Sequence, residues 1–277
     1  MNEKHILGIS GGRDSAALAV YMQHFHPEIE MEYFFTDTGK ELPEVMSFLG
    51  KLEGFLGKPI HALNPDRDFD FWLAEYNHFL PSPRTRWCTR QLKLRPMEKW
   101  LEKDLANGTI VHSYVAIRAD EPQREGHQST HSNMHVHFPL RDAGIDRKGV
   151  IDLLERFGVG QPDYYQWRSR SGCTFCFYQQ KIEWVELHDR HRDKFDEAVA
   201  YEKTAHEHGS PFTWSQGESL LEIVEPERQA QIREDYAKRL ARLRSKQRRN
   251  PLAALITEDV DDVYGANQDT ACDVCSR

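Results

Sequence analysis

The chain has no apolar run approaching the roughly 18–20 residues that span a bilayer, so no membrane contact is expected. It has neither G-x-x-x-x-G-K-[ST] nor G-x-G-x-x-G, which leaves a Walker A loop and a dinucleotide fingerprint unsupported. No internal repeat is present. Met1-Asn2-Glu3-Lys4-His5 leads straight into a strand-like segment. No signal peptide is therefore expected, and a cytoplasmic location follows as the default. Positive charge is in deficit: 36 Lys and Arg against 44 Asp and Glu leave a net −8, which argues against general adhesion to nucleic acid. Cysteines number only five. Four of them form two C-x-x-C pairs, Cys173/Cys176 and Cys272/Cys275, with Cys88 apart. In a reducing compartment that pattern favours metal, cluster or redox chemistry over disulfides.

What is present alternates. His5–Ile9 is a short apolar run, and Ala16–Phe25 reads as a helix. Glu32–Thr36 is a second strand, Leu42–Leu56 a helix with Pro43 in its first turn, and Pro59–Leu63 a third strand. This is the βαβαβ order of a doubly wound parallel sheet. Further on, Phe69–Phe79 and Leu94–Leu105 read as helices, Val111–Ile117 as a fourth strand and 120–137 as a polar, histidine-rich loop. Lys148–Phe157, Gln179–His206 and Glu218–Arg249 read as helices. The expected division is a nucleotide-binding domain over 1–145, a helical region over 146–249 and a mobile tail over 250–277.

Ser10-Gly11-Gly12-Arg13-Asp14-Ser15 sits between a strand and a helix. Amides at a helix N-terminus bind anions, and glycines let the backbone approach phosphate oxygens. Asp37-Thr38-Gly39 follows the second strand, at the same carboxyl edge where such sheets collect ligands. The bland alternative is a Gly-Gly turn with Asp14 as a helix cap.

The first segment resembles the SGGxDS loop of the ATP-pyrophosphatases, which share a Rossmann-like adenine-nucleotide α-hydrolase fold. Phe35–Gly39 with Glu41 and Pro43, Arg86-Trp87-Cys88 with Lys93 and Pro96, Ile117–Glu121 with Arg124, Phe138-Pro139-Leu140, and Ser171–Cys176 resemble successive motifs of the phosphoadenosine-phosphosulfate reductase family. Ala116 stands where that family has glycine. The intact loop tilts the resemblance toward cluster-bearing, DNA-phosphorothioation-type sulfurtransferases.

The resemblance implies ATP with Mg²⁺ on Ser10, Gly11, Gly12, Arg13, Asp14 and Ser15, aided by Asp37, Thr38, Gly39, Arg86, Lys93, Arg118 and Arg124. Asp14 would position metal or the scissile phosphates. Cys88, Cys173 and Cys176 would hold a 4Fe–4S cluster. Cys272 and Cys275 are candidate catalytic thiols, either of which, or an exogenous sulfur, would take the cluster's remaining iron. A four-thiolate zinc site on the two C-x-x-C pairs and a redox dithiol remain alternatives. Expected partners are a cysteine desulfurase or a thiol reductant, and nucleic acid through the basic segments Arg84–Arg95 and Lys238–Arg249. Rival functions are a sulfonucleotide reductase releasing sulfite and a non-catalytic nucleotide-sensing subunit. The histidines 112, 127, 131, 135 and 137 are read as a polar loop and strand edge.

Overall fold

The computed structural model describes residues 2–124 and 131–249. Apolar β1 (Glu3–Gly8) is the central strand, and α1 (Arg13–Phe25) returns the chain along the sheet to β2 (Met31–Thr36). Pro43 starts α2 (Pro43–Leu56), where its missing N–H has no intrahelical role. Gly57, at φ 61°, ends it in the left-handed conformation that glycine adopts without strain. Then follow β3 (Ile60–Leu63) and α3 (Phe69–Glu75), the latter capped by the Asp68 carboxylate on the Phe71 N–H. A single turn, α4 (Trp87–Thr89), runs through a wide π turn (Arg90–Leu94) into α5 (Arg95–Ala106). Pro96, which has no N–H to give back to the preceding turn, lies just past the π turn. β4 (Ile110–Tyr114) and β5 (Met134–His137) complete a five-stranded sheet of order β3-β2-β1-β4-β5. Every pairing is parallel.

The fold is thus a doubly wound α/β sheet, as the alternation predicts. Side chains alternate across each strand. Ile6, Phe34 and Val111 pack with Met97 and Leu101 of α5 on one face. Leu7, Tyr33 and Tyr114 belong to the larger core on the other. That core continues without a break into the helical C-terminal region, through Val150, Leu154, Trp184, Phe195 and Trp214. The region comprises α6 (Pro139–Asp142), α7 (Arg147–Arg156), a 3₁₀ turn (Asp163–Gln166), α8 (Lys181–Arg190), α9 (Arg192–Glu207), α10 (Leu220–Ile223) and α11 (Pro226–Arg249). No helix among the described residues is long and apolar enough to cross a membrane.

Three details differ from the sequence reading. Met134–His137 is a strand paired in parallel with β4; its Met-His-Val-His alternation is only four residues long and ends a polar stretch. The helix expected over 179–206 breaks at His191, whose backbone turns out of the helix (φ −135°, ψ 66°) while Nε2 meets Glu44 Oε1 at 2.8 Å. The helix expected over 218–249 is split ahead of Pro226. The expected tail, 250–277, lies outside the described residues, as does His127.

Candidate functional site

β1 ends where the winding of the sheet reverses, between β2 and β4. In doubly wound sheets this is where ligands bind. Gly11 turns the chain there with φ +74°, and a Cβ on it would stand 2.6 Å from Val45 Cγ1. Glycine is therefore required both by backbone conformation and by space. Gly12 is the N-cap of α1, with no side-chain cap, and Asp14 lies inside the first turn rather than capping it.

The loop is braced from within and from behind. Ser15 Oγ accepts the Ser10 N–H (3.0 Å) and donates to Gly12 O (3.1 Å). Ser10 Oγ lies 3.0 Å from Ser15 Oγ and accepts the Gly12 N–H at 3.2 Å. Buried Tyr164 donates its hydroxyl to Gly11 O at 2.8 Å, and Tyr165 Oη takes the Arg13 N–H at 3.3 Å. The Arg13 guanidinium stacks 4.5 Å over the Tyr165 ring. The first N–H groups of a helix have no acceptor in the helix. Arg13 has Tyr165; the Asp14 and Ser15 amides have no protein acceptor among the described residues.

Asp14 is the acidic member of the site. Arg118, nearly buried, donates Nη1 to Asp14 Oδ2 at 2.9 Å and Nε to Asp120 Oδ1 at 2.9 Å. Burial opposes the Arg118 charge, but Asp14, Glu121 and Asp120 outweigh it and hold the guanidinium firmly protonated. Arg124 donates to Glu121 Oε1 at 2.6 Å. Asp14 Oδ1 is buried and has no hydrogen-bond partner among the described residues. An orphaned carboxylate oxygen beside unfilled amides fits a divalent cation accompanying a phosphate chain.

The second loop and the cysteine segment meet this one. Asp37 Oδ1 accepts the Gly39 N–H at 2.8 Å, and Thr38 donates to Glu41 Oε1 at 2.8 Å. Thr38 Oγ1 is 3.3 Å from Cys173 Sγ, and Ser171 donates its hydroxyl to Ser10 Oγ at 3.3 Å. Thr174 bonds to Lys40 O through both N–H and hydroxyl, at 2.8 Å each. Lys40 Nζ is itself held by Asp70 (3.0 Å), Glu197 (2.6 Å) and Tyr201 (2.8 Å). Burial, and next the Glu41 carboxylate, push the Cys173 thiol well above its ordinary value, with Lys93 opposing.

The Cys88 segment packs against the same place. Trp87 and Phe175 both contact the Phe69 ring, with centroids 5.1 and 4.9 Å away. The Arg86 guanidinium lies 5.9 Å from the Tyr178 ring. Among the described residues, Cys88, Cys173 and Cys176 form no disulfide. Among the described residues no set of three ligand atoms within 4.8 Å of one another includes these thiols, so they are not gathered as a single-ion site; a cluster, whose thiolates stand farther apart, is the group their chemistry suits. Cys272 and Cys275 lie outside the described residues. Arg84 and Arg90 are exposed, and Arg95 lies over the Trp72 ring. In α11, Lys238 pairs with Glu234 and Arg239 donates to Gln180, so part of that basic face is engaged within the chain.

The sequence reading passes over Tyr164, Tyr165, Ser171 and Lys40, whose roles depend on contacts across long chain separations. Arg168 is also new: 2% exposed, it donates to the carbonyls of Gly172 and Cys173. With Arg13 and Arg147 it lines a cavity of about 150 Å³ behind the loop, which Tyr165, Trp167 and Glu183 share.

Fold and site together define a doubly wound α/β protein with a glycine-rich loop at its switch point. Residues 4–139 match the phosphoadenosine phosphosulfate reductase domain. A 37.8 kDa uncharacterized protein from the gpa 5′ region of Escherichia phage 186 is 24% identical over 72% of this chain and 74% of its own. An uncharacterized Methanocaldococcus jannaschii protein is 28% identical over 62% of this chain, which spans 35% of its length. An uncharacterized nin region protein of Escherichia phage lambda is 28% identical over 43% of this chain and 50% of its own. Among solved structures, a phosphoadenylyl-sulfate reductase from Candida auris is 13% identical over 61% of this chain and 81% of its own, with TM-score 0.48. An NMN synthetase from Francisella tularensis is 16% identical over 75% and 87%, with TM-score 0.37. Both structures are too distant to speak to substrate.

Proposed function

We propose that the chain binds ATP with Mg²⁺ at the loop after β1, splits it to AMP and pyrophosphate, and uses the activation for sulfur transfer to a nucleic acid or a small molecule. The observation that carries the reading is the position of the cysteine segment. Ser171 and Cys173 touch the first and second nucleotide loops at 3.3 Å each, which puts thiol chemistry beside the expected phosphates.

The amides of Asp14 and Ser15, with the α1 dipole behind them, hold phosphoryl oxygens. Asp14 Oδ1 would hold the cation, and Arg118 Nη1, bonded to Oδ2, aims the carboxylate. An acceptor oxygen attacks the α-phosphorus, the α–β bridge breaks, and pyrophosphate leaves with its charge offset by Arg86, Lys93 and Arg124. Persulfide sulfur from a cysteine desulfurase, reduced to hydrosulfide by two electrons from a thiol reductant, then displaces AMP from the acceptor. A 4Fe–4S cluster on Cys88, Cys173 and Cys176 would supply a sulfur-binding, electron-buffering centre; zinc is the lesser fit to this donor set.

The family match favours one second reading, reduction of a sulfonucleotide with release of sulfite. Anaerobic incubation with labelled ATP and, separately, labelled adenylyl sulfate distinguishes the two. Pyrophosphate and AMP from ATP, lost in Asp14→Ala, support the first reading. Sulfite from the sulfonucleotide, with ATP untouched, replaces it with the second.

A further inference from the structure

We propose that Glu3, His5 and His112 form a binding site for a divalent transition metal of the zinc class, at the end of the sheet opposite the nucleotide loop. The parallel register sets His5 of β1 beside His112 of β4, and His112 beside His135 of β5. Glu3 is two residues before His5, so its side chain shares the same face. One ligand atom from each of Glu3, His5 and His112 lies within 4.8 Å of the others.

The atoms are disposed as a ligand set requires. Both imidazoles present Nε2 to the same carboxylate oxygen: His5 Nε2 and His112 Nε2 each stand 4.0 Å from Glu3 Oε2. Both have Nδ1 occupied elsewhere, His5 by Tyr114 Oη at 3.0 Å and His112 by His137 Nε2 at 2.9 Å. A ligating histidine is characteristically oriented through its other nitrogen. Neutral imidazole is the form that binds metal.

Two imidazoles and a carboxylate suit zinc, with water in the fourth place. Tetrahedral ligands about 2.0–2.1 Å from zinc stand roughly 3.3 Å apart, so each 4.0 Å separation must close by about 0.7 Å. The Glu3 side chain is 57% exposed and free to move inward. The His5 and His112 rings, stacked at 4.7 Å and 13°, must tilt toward each other. With a strand rise of about 3.3 Å per residue, Glu3 lies roughly 20 Å from Ser10. The site therefore cross-links β1 to β4 and takes no part in nucleotide chemistry.

Cobalt titration of the tag-free full chain, followed by visible absorption, tests this and keeps thiolate sites apart. The expected result is a d–d spectrum without sulfur-to-cobalt charge transfer, retained in Cys173→Ser. Affinity should fall about tenfold or more in Glu3→Gln and His112→Gln, and by less in Tyr114→Phe. Glu3 is exposed, so Glu3→Gln keeps the fold, which thermal melting by circular dichroism verifies. Cobalt bound only through sulfur, unchanged affinity in Glu3→Gln and His112→Gln, or no cobalt bound at all would each overturn the proposal.

Discussion

Replacing Gly11 by alanine tests whether the loop's shape is what binds the nucleotide. Two costs follow from the geometry. An L-residue held at φ +74° costs about 1–2 kcal/mol. The new Cβ would meet Val45 Cγ1 at 2.6 Å, and relieving that overlap inside a packed core costs about 1–3 kcal/mol. Together Gly11→Ala should cost about 2–5 kcal/mol. If the loop escapes the strain by abandoning its shape, ATP affinity falls by roughly 30-fold or more, since each 1.4 kcal/mol is tenfold. The two costs separate in a double-mutant cycle with Val45→Ala, which removes the obstructing methyls but leaves the backbone strain. Calorimetric titration with a non-hydrolysable ATP–Mg²⁺ analogue and urea unfolding read both quantities. The double variant should recover the overlap part, about 1–3 kcal/mol, relative to additivity. Native affinity and stability in Gly11→Ala, or strict additivity with Val45→Ala, would refute the reasoning.

Other outcomes follow from the same contacts. Anaerobically purified protein should carry iron and acid-labile sulfide, and Cys88→Ser, Cys173→Ser or Cys176→Ser should each lose most of it; stoichiometric zinc without iron would contradict this. Lys40→Met should destabilise the fold by about 1–3 kcal/mol at pH 7, because it strips partners from Asp70, Glu197 and Tyr201 near a partly exposed surface. Burial works against the Asp70 charge, but Tyr201 and Lys40 prevail and hold its pKa below the usual range. That contribution is present above the unfolded carboxyl pKa and is lost as pH falls through the folded value, so the Lys40→Met deficit in urea unfolding should shrink in acid. A deficit constant down to pH 3 would show that Asp70 is not the partner that matters. Tyr164→Phe should leave Gly11 O unsatisfied and cost about 1–3 kcal/mol; unchanged unfolding free energy would mean the carbonyl finds another donor.

The sheet was legible because β1, β2 and β4 are short apolar runs followed by glycine, aspartate or a basic turn, and because α1 and α2 carry regular apolar faces. The fifth strand was not, since Met134–His137 alternates apolar and polar over only four residues at the end of a polar stretch, too short to stand out from a loop. The phosphate loop could be read from six consecutive residues. Its support could not: Tyr164 and Ser171 reach it from more than 150 positions away. Neither the approach of Cys173 to Thr38 nor the Lys40 network that docks the two segments has a local signature. Glu3, His5 and His112 escaped for the same reason, because strand register, not spacing, brings them together.

The most direct test of the phosphate grip is to follow backbone amide resonances of ¹⁵N-labelled protein while a non-hydrolysable ATP–Mg²⁺ analogue is added. The largest shifts should fall on Gly11, Gly12, Asp14 and Ser15, with Thr38 and Gly39 next. Shifts centred on Arg147 and Arg168, with the Gly11–Ser15 amides unmoved, would contradict it.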